Sequence, residues 1–200
     1  IPQQRGGLRH EKSHLAEKRI KMADNDAPGK RSYDFVAGCA GGLEELVQGE
    51  VLRFGASETL CGRGVVSWRG GLETGYRCCL WSHFASRVFV QVARFPVEDE
   101  ESLYAQCLEI DWLAHLSQER TFAVNCTLSG DSPITHSRFA AFRVKDALVD
   151  TFRKRTGGRP SVRVTRPDVQ IHLHIEKTVA TVAIDISGES LHRRGYRSAT

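Results

Sequence analysis

The sequence predicts an α+β fold made of two consecutive small sandwiches. Three observations predict it. From Tyr33 to Phe95 the apolar residues alternate between a strand period and a helix period in the order β-α-β-β-α-β, which is that of a ferredoxin-like sandwich. From Glu100 onward the order becomes helices, a strand, one long helix and two strands. Before Tyr33 neither period is sustained, and residues 1–32 read as a polar, disordered tail rich in Lys and Arg.

The elements follow in order. YDFVAGCA from Tyr33 reads as a short buried strand, with Gly41-Gly42 as a tight turn at its end. Leu43, Leu46, Val47, Val51 and Phe54 recur at near-helical spacing, which predicts an amphipathic helix ending at Gly55. SETLC and VVSW flank Gly62-Arg63-Gly64, a hairpin signal. A second helix is expected from Leu72 to Trp81, then the strand SRVFVQVARF. Glu100 to Glu109 is helical in pattern, a short piece spans Trp112 to Leu116, and TFAVNCTL alternates as a strand. From Ser137 to Arg155, the residues Ala141, Val144, Leu148 and Phe152 mark the buried stripe of a long helix. Arg143, Asp146, Asp150 and Arg153 share a polar face, and Gly157-Gly158 ends the helix. VQIHLHI and TVATVAIDI are two strands joined by Glu176-Lys177.

Composition narrows the function. With 40% hydrophobic and 26% charged residues in 200, one or two packed domains are expected. No apolar run approaches the ~20 residues of a membrane span, and no signal peptide opens the chain, so a soluble cytoplasmic protein without a membrane partner is expected. The six cysteines form no C-x-x-C pair and sit mostly among apolar neighbours. They read as reduced structural thiols. Met22 is the sole methionine, which suggests that residues 1–21 are a reading-frame extension.

No catalytic motif is present: no G-x-G-x-x-G, phosphate loop, H-E-x-x-H or G-x-S-x-G. Gly38-Cys39-Ala40-Gly41-Gly42 lacks dinucleotide spacing and reads as a turn. His172 and His174 share a strand face and could begin a metal site, but no third ligand is evident, so an exposed sheet face is the simpler reading. His83, His136 and His192 stand alone. Asp146 and Asp150, spaced i, i+4, fit a solvated helix face better than an acid-base pair. No catalytic residue, metal or cofactor is expected within this chain.

Charge is the remaining signal. The net charge is only +4, but Arg153, Lys154, Arg155, Arg159, Arg163 and Arg166 fall in a stretch without acids, and Arg193, Arg194 and Arg197 follow. Such asymmetry suits phosphate binding, or equally a solvated helix end favoured by the macrodipole. Few aromatic residues accompany the cluster. RNA recognition through shape and backbone is therefore expected rather than stacking of unpaired bases.

Four segments now become recognisable. FVAGCAGGLEELVQGEV resembles the opening of bacterial large-subunit (23S) rRNA guanine-N2 methyltransferases, and LWSHFASRV resembles that family's next marker. RFAAFRVKDALVDTFRKR is similar to the long helix of the THUMP domain. DISGESLHRRGYR resembles the junction where THUMP passes into the catalytic domain. The resemblance spans residues 33 to 197. It implies a ferredoxin-like domain over 33–75 and 84–95, a THUMP RNA-binding domain over 76–187 and a junction over 188–200.

It further implies that the parent protein is a SAM-dependent enzyme that methylates N2 of a guanine in 23S rRNA. The methyltransferase domain would follow in cis, and this chain, which stops at Thr200 before any SAM loop, would be a fragment holding the structured rRNA. Ser137, Arg138, Lys145 and Asp146 match the THUMP helix pattern, while Arg194, Gly195, Tyr196 and Arg197 match the junction. Arg138, Lys145, Arg153, Lys154, Arg155 and Arg159 are the expected phosphate contacts, with Asp146 positioning a neighbouring cation. Two other readings stay open: the THUMP region of a tRNA-modifying enzyme, and a ferredoxin-like regulatory or docking module that binds no RNA.

Overall fold

The computed structural model describes residues 31–193. The tail up to residue 30, the start at Met22 and the junction residues Arg194, Gly195, Tyr196 and Arg197 lie outside the described residues.

The first half runs β1 (Tyr33–Cys39), α1 (Glu44–Arg53), β2 (Ser57–Gly62), β3 (Val65–Gly70), α2 (Leu72–Trp81) and β4 (Ala85–Pro96). The second runs α3 (Glu100–Leu108), a 3-10 turn at Trp112–Ala114, β5 (Thr121–Ser129), α4 (Ser137–Thr156), β6 (Ser161–Val162), β7 (Val169–Glu176) and β8 (Val179–Asp185). A second 3-10 turn follows at Leu191–Arg193. The element order read from sequence is present throughout. The addition is β6, too short to show a period, which pairs in parallel with β5 through Thr121 and Phe122.

The two halves do not form separate sheets. All strands join one eight-stranded sheet in the order β2-β3-β1-β4-β8-β7-β5-β6. The seam is β4, whose 12 residues pair with β1 at Phe35 to Cys39 and with β8 at Asp185 to Val179. A bulge between Gln91 and Ala93 lets Val90 and Ala93 fall opposite Ile184 and Val182 on the same side of the sheet. The helices of both halves therefore cover one face.

Two cores lie under them. In the first, Phe35, Ala37, Val88 and Val90 meet Val47, Val51 and Cys78. Helix α2 can approach β1 closely because Gly75 has no side chain; a Cβ there would stand 2.4 Å from Phe35 Cε1. In the second, Ile171, Leu173, Ile175 and Val182 meet Leu103, Val144, Leu148 and Phe152. Ala141 is only half-buried, and Ala140 and Ala147 complete the stripe instead. Helix α3 opens on a capping box: Asp99 accepts from Ser102 N at 2.7 Å, and Ser102 Oγ accepts from Asp99 N at 3.0 Å. Gly157, at φ 75°, closes α4 with its N–H on Arg153 O.

The stripe predicted for α1 needs a correction. Leu46 is 48% exposed, while Glu50 is buried beside Val47 and Val51. The 3.6-residue period puts positions 47, 50, 51 and 54 on one face, and the reading from apolar residues alone passed over a carboxylate there. Glu50 is paired: it accepts from Ser82 Oγ at 2.5 Å and from His83 N at 3.0 Å, and its Oε1 lies 3.0 Å from His83 Nδ1. Ser82 Oγ in turn accepts from Ala85 N at 2.9 Å. This fixes the turn from α2 into β4 and gives Ser82 its place in LWSHFASRV.

Candidate nucleic-acid interface

Helix α4 carries five of the six expected phosphate contacts, and Arg159 follows it. At about 100° per residue, Arg138 and Lys145 come within about 20° of each other on the outer face, whereas Lys154 lies about 160° around and about 24 Å along the axis from Arg138. The six do not form one patch.

Their partners separate them further. Lys145 Nζ lies 2.7 Å from Asp146 Oδ1, Arg153 Nη1 3.5 Å from Asp150 Oδ1, and Arg155 Nη1 2.9 Å from Asp111 Oδ1. Asp146 thus stands against a neighbouring cation. Asp150 also accepts from the Tyr104 hydroxyl at 2.9 Å, a bond that, with burial, pushes the Tyr104 pKa up. Arg138, Lys154 and Arg159 have no carboxylate partner among the described residues.

A second group of cations surrounds the end of α4. Arg159, Arg163 and Arg166 are exposed beside β6, at the edge of the sheet. Arg163 N donates to Phe122 O at 2.9 Å, which holds this segment along β5. Asp168 clips its far end by accepting from Thr121 N at 2.8 Å and Thr121 Oγ1 at 2.7 Å, bonds that hold its carboxyl below the usual range. Lys154, in the last turn of α4, and Arg159, Arg163 and Arg166, in the segment that follows it, are all exposed, and no acid lies between residues 151 and 167. The sequence shows this as a stretch without acids; the structure adds that β6 lays part of it along β5 at the edge of the sheet.

Two aromatic residues were not part of that reading. Phe139 and Phe142 lie on the outside of the first turns of α4, 58% and 45% exposed. The helical period leaves both off the buried stripe, and that was the available signal.

His172 and His174 share the sheet face opposite the helices, as the register with Ala183 and Thr181 requires. Both rings reach Thr127 Oγ1, at 3.2 Å and 2.8 Å, and the His172 ring lies 5.1 Å from that of Phe89. Burial chiefly, then the charges of His174 and Arg87, push the His172 pKa down, against Asp185. Among the described residues no group of three or more His, Cys, Asp or Glu side chains could hold a metal ion. The cysteines stand as thiols, and burial pushes Cys107 up to about 12 and Cys126 up to about 11.

The glycine-rich turn after β1 does not fit a nucleotide-like cofactor. A carboxylate of the chain itself occupies the place beside it: Glu44 accepts from Gly42 N of this turn and from Gly64 N of the β2–β3 hairpin, each at 2.7 Å. The Gly64 bond leads the effects that hold the Glu44 carboxyl below its usual range. An anionic ligand would have to displace that carboxylate. Among the described residues no helix is long and apolar enough to cross a membrane.

Two family models match the chain in succession. Residues 34–89 match the RlmL ferredoxin-like domain and residues 97–185 match the THUMP domain. The chain is 49% identical over 173 residues to a ribosomal RNA large subunit methyltransferase K/L of Desulfotalea psychrophila, a match that covers 86% of this chain and 24% of the relative. It thus spans about a quarter of that protein's length. Among solved structures, it superposes with TM-score 0.75 and 27% identity on SMU.472, a putative methyltransferase complexed with SAH, over 86% of this chain and 46% of that one. A predicted N6-adenine-specific DNA methylase from Listeria monocytogenes gives TM-score 0.74 and 29% identity, over 84% and 44%.

Proposed function

Because residues 97–185 match the THUMP domain and residues 34–89 match the RlmL ferredoxin-like domain, we propose that this chain is the RNA-holding region of a large-subunit rRNA methyltransferase. The parent would be a SAM-dependent, cytoplasmic enzyme acting on N2 of a guanine in 23S rRNA, with its catalytic domain following in cis. The SAH in a structural relative supports the cofactor assignment for the parent. Within that parent, the region held in this chain would contribute RNA binding and positioning.

The observation that carries this reading is the basic edge at the end of α4. Phosphate contacts there would involve Lys154 and Arg159 first, because no carboxylate competes for them, with Arg153 and Arg155 contributing less; Arg138, equally without a carboxylate partner, and Lys145 would contribute at the other end of α4. Each neutralised phosphate releases counterions, so affinity should fall steeply with salt. A single-sign edge suits a structured RNA whose grooves are read by backbone and shape.

The test is a salt titration of binding to a 23S rRNA fragment, a tRNA and a duplex DNA. Preference for the rRNA with a steep slope is expected. Equal or tighter binding to tRNA would move the chain to a tRNA-modifying branch. No binding would leave a docking module.

A further inference from the structure

Phe139 and Phe142 sit where a folded chain gains nothing from a phenyl ring. They are 58% and 45% exposed, whereas Phe122 and Phe152 on the same side of the sheet are 0% and 1%. Positions three apart on a helix are surface neighbours, so the two residues share the outer face of the first turns of α4.

Two cations lie against Phe142, and an imidazole lies beside Phe139. Arg138 Cζ lies 5.8 Å and Lys145 Nζ 5.6 Å from the centroid of the Phe142 ring, within cation–π range. The His136 ring is 6.0 Å from that of Phe139. Arg138 has no carboxylate partner among the described residues, and Lys145 shares its charge with Asp146. The cluster therefore presents two exposed phenyl rings, with positive charge against that of Phe142.

We propose that the N-terminal turns of α4 are a stacking platform for unpaired RNA nucleotides. Bases stack on Phe139 and Phe142, and the adjoining phosphates meet Arg138 and Lys145. A paired RNA stem cannot use phenyl rings in this way, because its bases are already stacked and its exposed groups are phosphates and hydroxyls. Aromatic faces with flanking cations are the chemistry that recognises splayed bases. The cations against Phe142 favour a polyanion over an apolar protein surface. This inference rests on the RNA-binding reading above and adds a second contact region, about 24 Å along α4 from Lys154. The RNA that fits has a stem on the basic edge and an unpaired loop or bulge at the other end of the helix.

The test uses the whole chain and three RNAs of one length: a fully paired hairpin, the same hairpin with a bulge, and a single strand. Binding is followed by fluorescence anisotropy. The unmodified chain is expected to prefer the bulged hairpin over the paired one on the order of tenfold. The double variant F139L/F142L should lose that preference while its affinity for the paired hairpin stays unchanged. F139W/F142W, which restores aromatic faces, should keep it. Thermal melting of both variants checks that α4 remains folded.

Equal affinity for the two hairpins, or a preference that survives in F139L/F142L, overturns the platform and leaves the RNA-binding reading standing. Absence of binding to all three RNAs overturns both.

Discussion

The two halves of the sheet are built alike and finished differently. Each lays two helices on the same face, yet the outer surfaces of those helices are not equivalent. In the first half, α1 and α2 expose Leu46, Leu52 and Tyr76 and bury the carboxylate of Glu50. In the second, α4 buries Val144, Leu148 and Phe152 and exposes a run of charges with two phenyl rings at its start. Helical periodicity alone does not reveal a functional surface. The informative positions are those where a residue contradicts its environment.

The comparison can be broken most severely in the second core. Leu148→Ala removes a fully buried side chain under α4 and should cost roughly 2–5 kcal/mol of unfolding free energy, measured by urea titration. Val47→Ala in the smaller first core should cost less, about 1–3 kcal/mol. If the order reverses, the first half and not the second anchors the sheet.

Gly75→Ala tests the close contact of α2 with β1. Its new methyl group would collide with Phe35, so a loss of about 1–3 kcal/mol is expected despite the better helix propensity of alanine. A stabilised variant would show that α2 can move away from the sheet.

Charge reversal sharpens the functional contrast. Lys154→Glu with Arg159→Glu should weaken RNA binding and reduce the salt slope by about two contacts. Arg53→Glu with Arg63→Glu, the same change in charge on the first half, should leave the slope near its original value. Equal effects would mean that overall charge, not the α4 edge, governs binding.

Acid should affect the halves in different pH windows. Burial works to raise the Glu50 carboxyl, but the bonds from Ser82 and His83 outweigh it and hold the pKa below the ordinary 4.5. A depressed carboxyl contributes stability above its unfolded value that is lost as pH falls through the folded one, so the Glu50 contribution persists until pH drops below 4.5. His172 is held below its ordinary 6.5 chiefly by burial, so the unfolded chain takes up a proton first and stability declines as pH falls below 6.5. Between these values, hydrogen exchange should quicken in β7 before α1. Simultaneous loosening would show that the shared sheet couples the halves fully.

The smallest effect is expected on the outer face of α1. Leu46→Ala should change stability by less than about 0.5 kcal/mol, because the side chain is largely in solvent already. A large loss would restore Leu46 to the buried stripe.

Local pattern was enough to place nearly every element. The hairpin around Gly62-Arg63-Gly64, the helix from Leu72 to Trp81 and the stop at Gly157 are set by neighbours in the chain, through turn geometry and period. The four quoted segments also made the family legible, since they preserve order as well as composition. The candidate site was legible only as charge: the run from Arg153 to Arg166 is visible in sequence, but whether Asp111 or Asp150 neutralises a member is not.

Sequence alone thus determined the α+β class, the order of elements, the absence of known catalytic motifs within the chain and the excess of cations after α4. These depend on local backbone preference and residue type. Tertiary structure decided that β4 joins both halves into one sheet, that Glu50 and not Leu46 faces the first core, and that β6 carries the basic segment along an edge. It also decided that Phe139 and Phe142 stand exposed, with Arg138 and Lys145 against the Phe142 ring. Each of these depends on which distant strand or side chain occupies the neighbouring space, and pairing across about a hundred residues, as between Arg87 and Asp185 or Cys79 and Ile186, leaves no period to read.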